Sequence, residues 1–200
     1  MKESKKTTVE KYLSQKYNTI PEAILFVIGG LGVISFFAYS KFLAVPLLVI
    51  SAVALVFIKT SKIKDAEYED VLERILLENN VKRKGENILA AYDLSATPIG
   101  IGMDKKARTP IYSIAEFVFS SDSCTVKLSK ADMINSTLTS AEHEIPLPAG
   151  CERKTSTVET HDGQRKVDFL VFSSAPMLVI PVEKLSYDVE VIINRLNEKK

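Results

Sequence analysis

The sequence predicts a two-helix membrane hairpin joined by a connecting helix to an antiparallel β-rich domain. That domain is expected to be a sandwich or partly open barrel, capped by a C-terminal amphipathic helix. Three observations predict this α+β layout. Between Ala23 and Ile58 only Lys41 is charged. After Gly85 the apolar period changes from 3.6 to 2. At the end of the chain Leu185, Val189, Ile192 and Leu196 recur at helical spacing. Averages hide the division, because the 200 residues are 46% hydrophobic and 26% charged, with a mean hydropathy of +0.08.

Residues 1–19 read as a cytoplasmic N-terminal tail. Val9, Tyr12, Leu13 and Tyr17 have helical spacing, which allows a short helix at a lipid surface, and a solvated tail is the alternative. Residues 20–58 read as the transmembrane hairpin. Its two apolar runs, Ala23 to Tyr39 and Phe42 to Ile58, have 17 residues each, near the lower limit of about 17–25 for a crossing. Thr19 and Glu22 have the spacing of a capping box, and Pro21 suits a first turn, which extends the first span to Ile20. One continuous helix over both runs would be about 58 Å long, so the chain must turn near Ser40. Gly29, Gly30 and Gly32 are the residues expected to let the two helices pack closely. Pro46 reads as a start signal for the second helix. Lys2, Lys5, Lys6, Lys11 and Lys16 precede the hairpin, Lys59, Lys62, Lys64 and Arg74 follow it, and the tip carries only Lys41. That asymmetry predicts a multi-pass protein of the inner cell membrane with both termini cytoplasmic. A cleaved signal peptide fits poorly, because the leader is long and carries Glu3, Glu10 and Glu22, no small-x-small cleavage site follows Phe37, and a second apolar run comes at once.

Residues 59–84 form the connection. Tyr68, Val71, Leu72, Ile75 and Leu76 make one stripe of a helix over Ile63 to Val81, with Asp70 and Arg74 as an i,i+4 pair. Residues 85–200 form the β-rich domain. Strands are expected at Ile88–Leu94, Ile99–Met103, Ile111–Phe119, Cys124–Leu128, Leu138–Leu147, Lys154–Thr160, Lys166–Phe172 and Met177–Val182. Asp162-Gly163 supplies the tight turn of one hairpin. Short antiparallel strands at this spacing argue for a sandwich or barrel rather than a βαβ sheet.

The chain offers little catalytic chemistry. With 26 basic and 25 acidic residues the formal charge is +1, which gives no global case for nucleic acid. The supply of His and Cys is His143, His161, Cys124 and Cys151, without the spacing of a metal site. On a strand, Glu142 and Glu144 face away from His143, which splits a site rather than building one. Cys124 reads as a buried structural thiol and Cys151 as a loop residue. Gly100-Ile-Gly102-Met-Asp-Lys-Lys lacks the helix and third glycine of a dinucleotide loop and reads as a flexible turn. No catalytic residue, metal ligand or cofactor is therefore expected, and the chain is not expected to be an enzyme. Lys105, Lys106 and Arg108 form the concentrated basic loop of the domain. With Lys59, Lys62 and Lys64 beside the second span, they are the candidates for lipid-headgroup contact.

The segment from Met177 to Leu196, Met-Leu-Val-Ile-Pro-Val-Glu-Lys-Leu-Ser-Tyr-Asp-Val-Glu-Val-Ile-Ile-Asn-Arg-Leu, resembles the last strand and capping helix of small bacterial two-span membrane proteins with a pleckstrin-homology-like domain. The resemblance covers about 20 residues in motif and most of the chain in architecture. It implies a non-catalytic scaffold or interaction protein presenting that domain at the cytoplasmic face. The implied partners are the lipid bilayer and an unknown protein, with self-association as a further arrangement. The layout also resembles two-span effectors of antiphage signalling, which implies as an alternative a ligand-gated membrane protein whose β-barrel binds a nucleotide signal.

Overall fold

The computed structural model describes residues 7–15, 20–38, 41–160, 163–183 and 187–198; the side chains of 20–23, 35–38, 41–44, 47, 57–61 and 187 are outside the description. Helix α1 (Thr8–Ser14) opens with a complete capping box: Thr7 N donates to Glu10 Oε2 at 2.7 Å and Glu10 N donates to Thr7 Oγ1 at 3.2 Å. Seven residues are too few to hold a helix alone in water. The helix is held because Val9, Tyr12 and Leu13 are buried, so this stretch of the expected tail is packed rather than solvated.

Helices α2 (Ile20–Ala38) and α3 (Lys41–Ser61) pack on each other. A Cβ placed on Gly29 would lie 3.3 Å from Ser51 Oγ. Gly29 lies in the middle of α2 and Ser51 in the middle of α3, so the two helices meet at mid-length. Gly32 is buried, while Gly30 has no atom within 4 Å of where a Cβ would stand. Because α3 begins at Lys41, Pro46 lies inside the helix and removes one i→i−4 bond rather than starting it. The outer surface is apolar and exposed at Phe26, Val27 and Ile34 of α2 and at Ile50, Val53 and Val56 of α3.

The expected membrane hairpin is corrected here. Among the described residues, no helix is long and apolar enough to cross a membrane. The transmembrane helices, the multi-pass inner-membrane location and the cytoplasmic placement of both termini rested on those crossings and fall with them.

Helix α4 (Asp65–Glu78) has Asp65 and Glu67 in its first turn, where carboxylates complement the positive helix end. It buries Tyr68, Leu72, Ile75 and Leu76. The strands are β1 (Ile88–Tyr92), β2 (Gly100–Ile101), β3 (Ala107–Arg108), β4 (Ile111–Phe119), β5 (Ser123–Asp132), β6 (Thr137–Pro146), β7 (Cys151–Thr160), β8 (Gly163–Phe172) and β9 (Val179–Val182), and helix α5 (Tyr187–Asn197) follows. One antiparallel sheet has the order β1-β4-β5-β6, a second has β7-β8-β9, and β2 pairs with β3 as a small hairpin. The expectation of a barrel is likewise corrected. β1 lies near β9, but among the described residues no ladder joins them and none joins β6 to β7, so the sheets do not close.

Strand alternation divides the interior into two cores. On β4, Tyr112 and Ile114 face α1 and α4, while Ala115 and Phe117 face the second sheet and α5. Val189, Ile192 and Leu196 of α5 fill the space between the sheets with Leu170, Phe172 and Ile180; Leu185, expected on the same stripe, lies outside the described residues. Asn197 fixes the helix to the start of β7, accepting from Cys151 N at 2.7 Å and donating to Cys151 O at 2.8 Å.

The helix pair enters and leaves the sheets at one point. Gln15 Nε2 donates to Ile63 O at 2.8 Å, and Ile63 N donates back to Gln15 Oε1 at 3.0 Å. Leu13 of α1 sits against Gly100, where a Cβ would stand 3.0 Å from Leu13 Cδ2 and 3.1 Å from its Cα. At Gly102 a Cβ would overlap Arg108 Nη1, Tyr12 Oη and Asp104 Oδ1, the last at 2.7 Å. The two glycines read as a flexible turn are therefore the places where α1 and the Arg108 side chain reach the backbone. Gly102→Ala is expected to destabilise the chain by about 2 kcal/mol, the usual scale of overpacking. Gly30→Ala in open space should stabilise it by about 0.5 kcal/mol through helix propensity. Urea denaturation of the two variants checks both signs.

Candidate functional site

Glu69 stands at the junction of α4 and the first sheet. Its Oε1 accepts from Arg108 Nε at 3.0 Å and from Tyr92 Oη at 2.9 Å, and its Oε2 accepts from Arg83 Nη1 at 3.0 Å. Burial alone would raise its pKa. The hydrogen bonds from Arg108 and Tyr92 and the charges of Arg83 and Arg108 outweigh that and hold it below the ordinary value. Arg108, only 5% exposed in its side chain, also grips Asp104 with both terminal nitrogens at 2.8 and 2.9 Å. Arg83 reaches Tyr112 Oη through Nε at 2.7 Å and Glu73 at 3.0 Å.

Four tyrosines line this polar cluster. Tyr12 stacks on Tyr68 with ring centroids 4.2 Å apart, Tyr68 is 6.2 Å from Tyr92, and Tyr92 meets Tyr112 edge-on at 4.8 Å. Tyr68 donates to Thr109 O at 2.6 Å and Tyr12 donates to Asp65 Oδ1 at 2.8 Å. Burial raises the pKa of Tyr68, Tyr92 and Tyr112, so these hydroxyls stay protonated; Tyr68 and Tyr92 donate, and Tyr112 accepts from Arg83. The cluster binds α1, α4 and the sheet into one body.

It also holds the β2–β3 turn. Met103 N and Asp104 N donate to the two oxygens of Asp65 at 3.1 and 3.0 Å, and Lys106 N donates to Asp104 Oδ1 at 3.0 Å. Lys105 is held at φ +62°, a conformation that costs a non-glycine residue roughly 1–2 kcal/mol. Beyond this turn β9 ends. It covers only Asp168 to Val171 of β8, which leaves Gly163 to Val167 without a strand on that side. The gap between β1 and β8 is an open cleft of about 970 Å³. Lys105, Lys106, Arg153, Arg165 and Lys166 line it, with Asp168 and Glu183 as its carboxylates. Asp168 is committed to Thr155 Oγ1 at 2.6 Å and to Arg153 Nη2 at 2.7 Å. The Thr155 hydrogen bond, then that from Arg153, keep it ionised against burial. Arg165 Nη1 donates to Lys105 O at 3.0 Å, which brings the two walls together.

The residues singled out in the sequence are thus dispersed. Lys105 and Lys106 open on the cleft, whereas Arg108 points inward to Glu69 and Asp104. Lys64 is exposed at the N-cap of α4, Lys62 is half-buried, and the side chain of Lys59 lies outside the described residues. Asp70 and Arg74 are not ion-paired among the described residues; the i,i+4 pair that forms is Asp104–Arg108. Arg153 lies on β7 and the adjacent pair Arg165 and Lys166 on β8, and only the pairing of those strands and the fold of the β2–β3 turn bring them to Lys105 and Lys106. Cys124 and Cys151 are both buried, Cys151 as the first residue of β7 rather than in a loop. Burial pushes their thiols up to about 11 and about 12, which removes the thiolate that nucleophilic chemistry needs. His143 is exposed on β6, and His161 lies outside the described residues.

Glu69→Gln is expected to cost about 2 kcal/mol at neutral pH, because it weakens a charged hydrogen-bond set around a buried guanidinium. Glu73→Gln, at an exposed pair, should cost less than about 0.5 kcal/mol. A carboxylate with a depressed folded pKa stabilises above its unfolded value, about 4.3 for Glu, and that contribution is lost as pH falls through the folded value. The difference in melting temperature between wild type and Glu69→Gln should therefore be wide at pH 7 and close below about pH 4. No protein-family model matches the chain, and no curated protein or solved structure matches it.

Proposed function

We infer that the chain is a non-catalytic interaction protein that assembles with further copies of itself through free strand edges. One observation carries this reading: among the described residues β6 and β7, ten residues each, are hydrogen-bonded to a neighbouring strand on one side only. Both are exposed along most of their length. A free edge of that length offers a row of backbone donors and acceptors to an added strand. The charges of β7, Glu152, Arg153, Lys154 and Glu159, cancel, and the unlike pair the two edges offer is Glu142 or Glu144 of β6 against Lys154 of β7. Such a β6-to-β7 contact is heterologous and repeats from copy to copy. The buried, protonated cysteines support a role without covalent catalysis.

The full-length protein should sediment as oligomers whose size falls with salt, as expected for charge-assisted edges. The double variant Glu142→Lys/Glu144→Lys should be monomeric, and mixing it with Lys154→Glu should restore complexes. Oligomers of unchanged size in the double variant, or wild-type monomer at every concentration, contradict the reading.

A further inference from the structure

We propose that the cleft between β1 and β8 is a binding site for an anion carrying two or more phosphoryl groups. Of the five cations lining it, Arg153 is neutralised by Asp168. Lys105, Lys106, Arg165 and Lys166 make no ion pair among the described residues, and Glu183 is the one further carboxylate of the lining. Like charges held together against the apolar walls of Val167, Phe169 and Val182 repel one another and focus a positive potential into the gap. A bound polyanion relieves that repulsion, and the planar Arg165 fork and the two-sided lysines suit phosphoryl oxygens.

The geometry favours more than one phosphoryl group. The volume, about 970 Å³, far exceeds that of a single oxyanion, and the cations stand on two walls joined where Arg165 meets Lys105 O at 3.0 Å. The lysine wall is also pre-set. Asp65 and Asp104 take the backbone donors of the turn, and Arg108 and Glu69 hold Asp104 in place. A site whose loop is already ordered loses little entropy when ligand arrives. The net charge of +1 for the whole chain means that this positive potential is local to the cleft, which favours a small ligand over an extended polyanion.

The test is calorimetric titration of the full-length protein with tripolyphosphate against sulfate at matched ionic strength. A second arm uses monomeric short-chain phosphatidate, so that free and lipid-linked phosphoryl groups are told apart. Tripolyphosphate is expected to bind at least about tenfold more tightly than sulfate, with an affinity that falls steeply with salt. Lys105→Ala/Lys166→Ala should weaken it by at least about tenfold, while Lys127→Ala, at an exposed position of β5 outside the cleft lining, should leave it unchanged. Should the double variant fail to fold, Lys166→Gln alone is expected to weaken binding severalfold. Phosphatidate bound more tightly, with the same dependence on Lys166, also supports the site and identifies its source as lipid. Equal affinity for tripolyphosphate and sulfate, or equal loss in the Lys127 variant, overturns the proposal.

Discussion

The carboxylate of Glu69 is the constraint on which the rest of the structure depends. It accepts hydrogen bonds from Arg108, Tyr92 and Arg83, which belong to the β3 hairpin, to β1 and to the segment after α4. Without Glu69 the buried Arg108 guanidinium would keep only Asp104 to balance its charge, and an under-compensated charge out of water is destabilising. Arg108 therefore commits α4 to one position on the sheet. Through Tyr12, Tyr68 and Asp65 the same cluster commits α1. Hydrophobic burial supplies the bulk of the adhesion, but apolar faces can slide, whereas directional bonds at 2.8–3.0 Å fix register.

That fixed register has consequences at both ends of the molecule. At one end the Gln15–Ile63 pair ties together the segments that enter and leave α2 and α3, so the helix pair is attached by two points rather than one. At the other end the Asp104–Arg108 grip sets the turn that carries Lys105 and Lys106 into the cleft. One polar cluster thus connects an exposed apolar helix pair to a cationic gap in the sheets.

Local pattern made much of this legible. The strand read over Ile111–Phe119 is β4, and the stripe Tyr68, Leu72, Ile75, Leu76 is the buried face of α4. Period and β-branching are properties of neighbouring residues, so they survive without tertiary knowledge. The start of β7 at Cys151 was missed because Cys-Glu-Arg carries no alternation, and its pairing with β8 and the side chain of Asn197 supplies the order instead. The apolar run from Ala23 to Ile58 located two helices, α2 and α3, but not a membrane crossing; the turn expected near Ser40 lies outside the described residues. The polar cluster had no sequence signal of its own, because Glu69 and Arg108 are 39 residues apart and each resembles any surface charge. A hint lay in Asp65 and Glu69 one helical turn apart beside the Tyr68 stripe, and in two glycines just before a basic loop, which serve close backbone approach rather than flexibility. The cleft was half legible: Lys105 and Lys106 stood out as a run, while Arg165 and Lys166 join them only through the end of β9.

Amide hydrogen exchange across wild type and Glu69→Gln measures the central claim most directly, because it reads the opening of each element separately. Loss of protection in α1, α4 and the β2–β3 turn together, with β4 and β5 unchanged, is the result this account predicts. Wild-type protection retained in α1 and α4 without the carboxylate would contradict it.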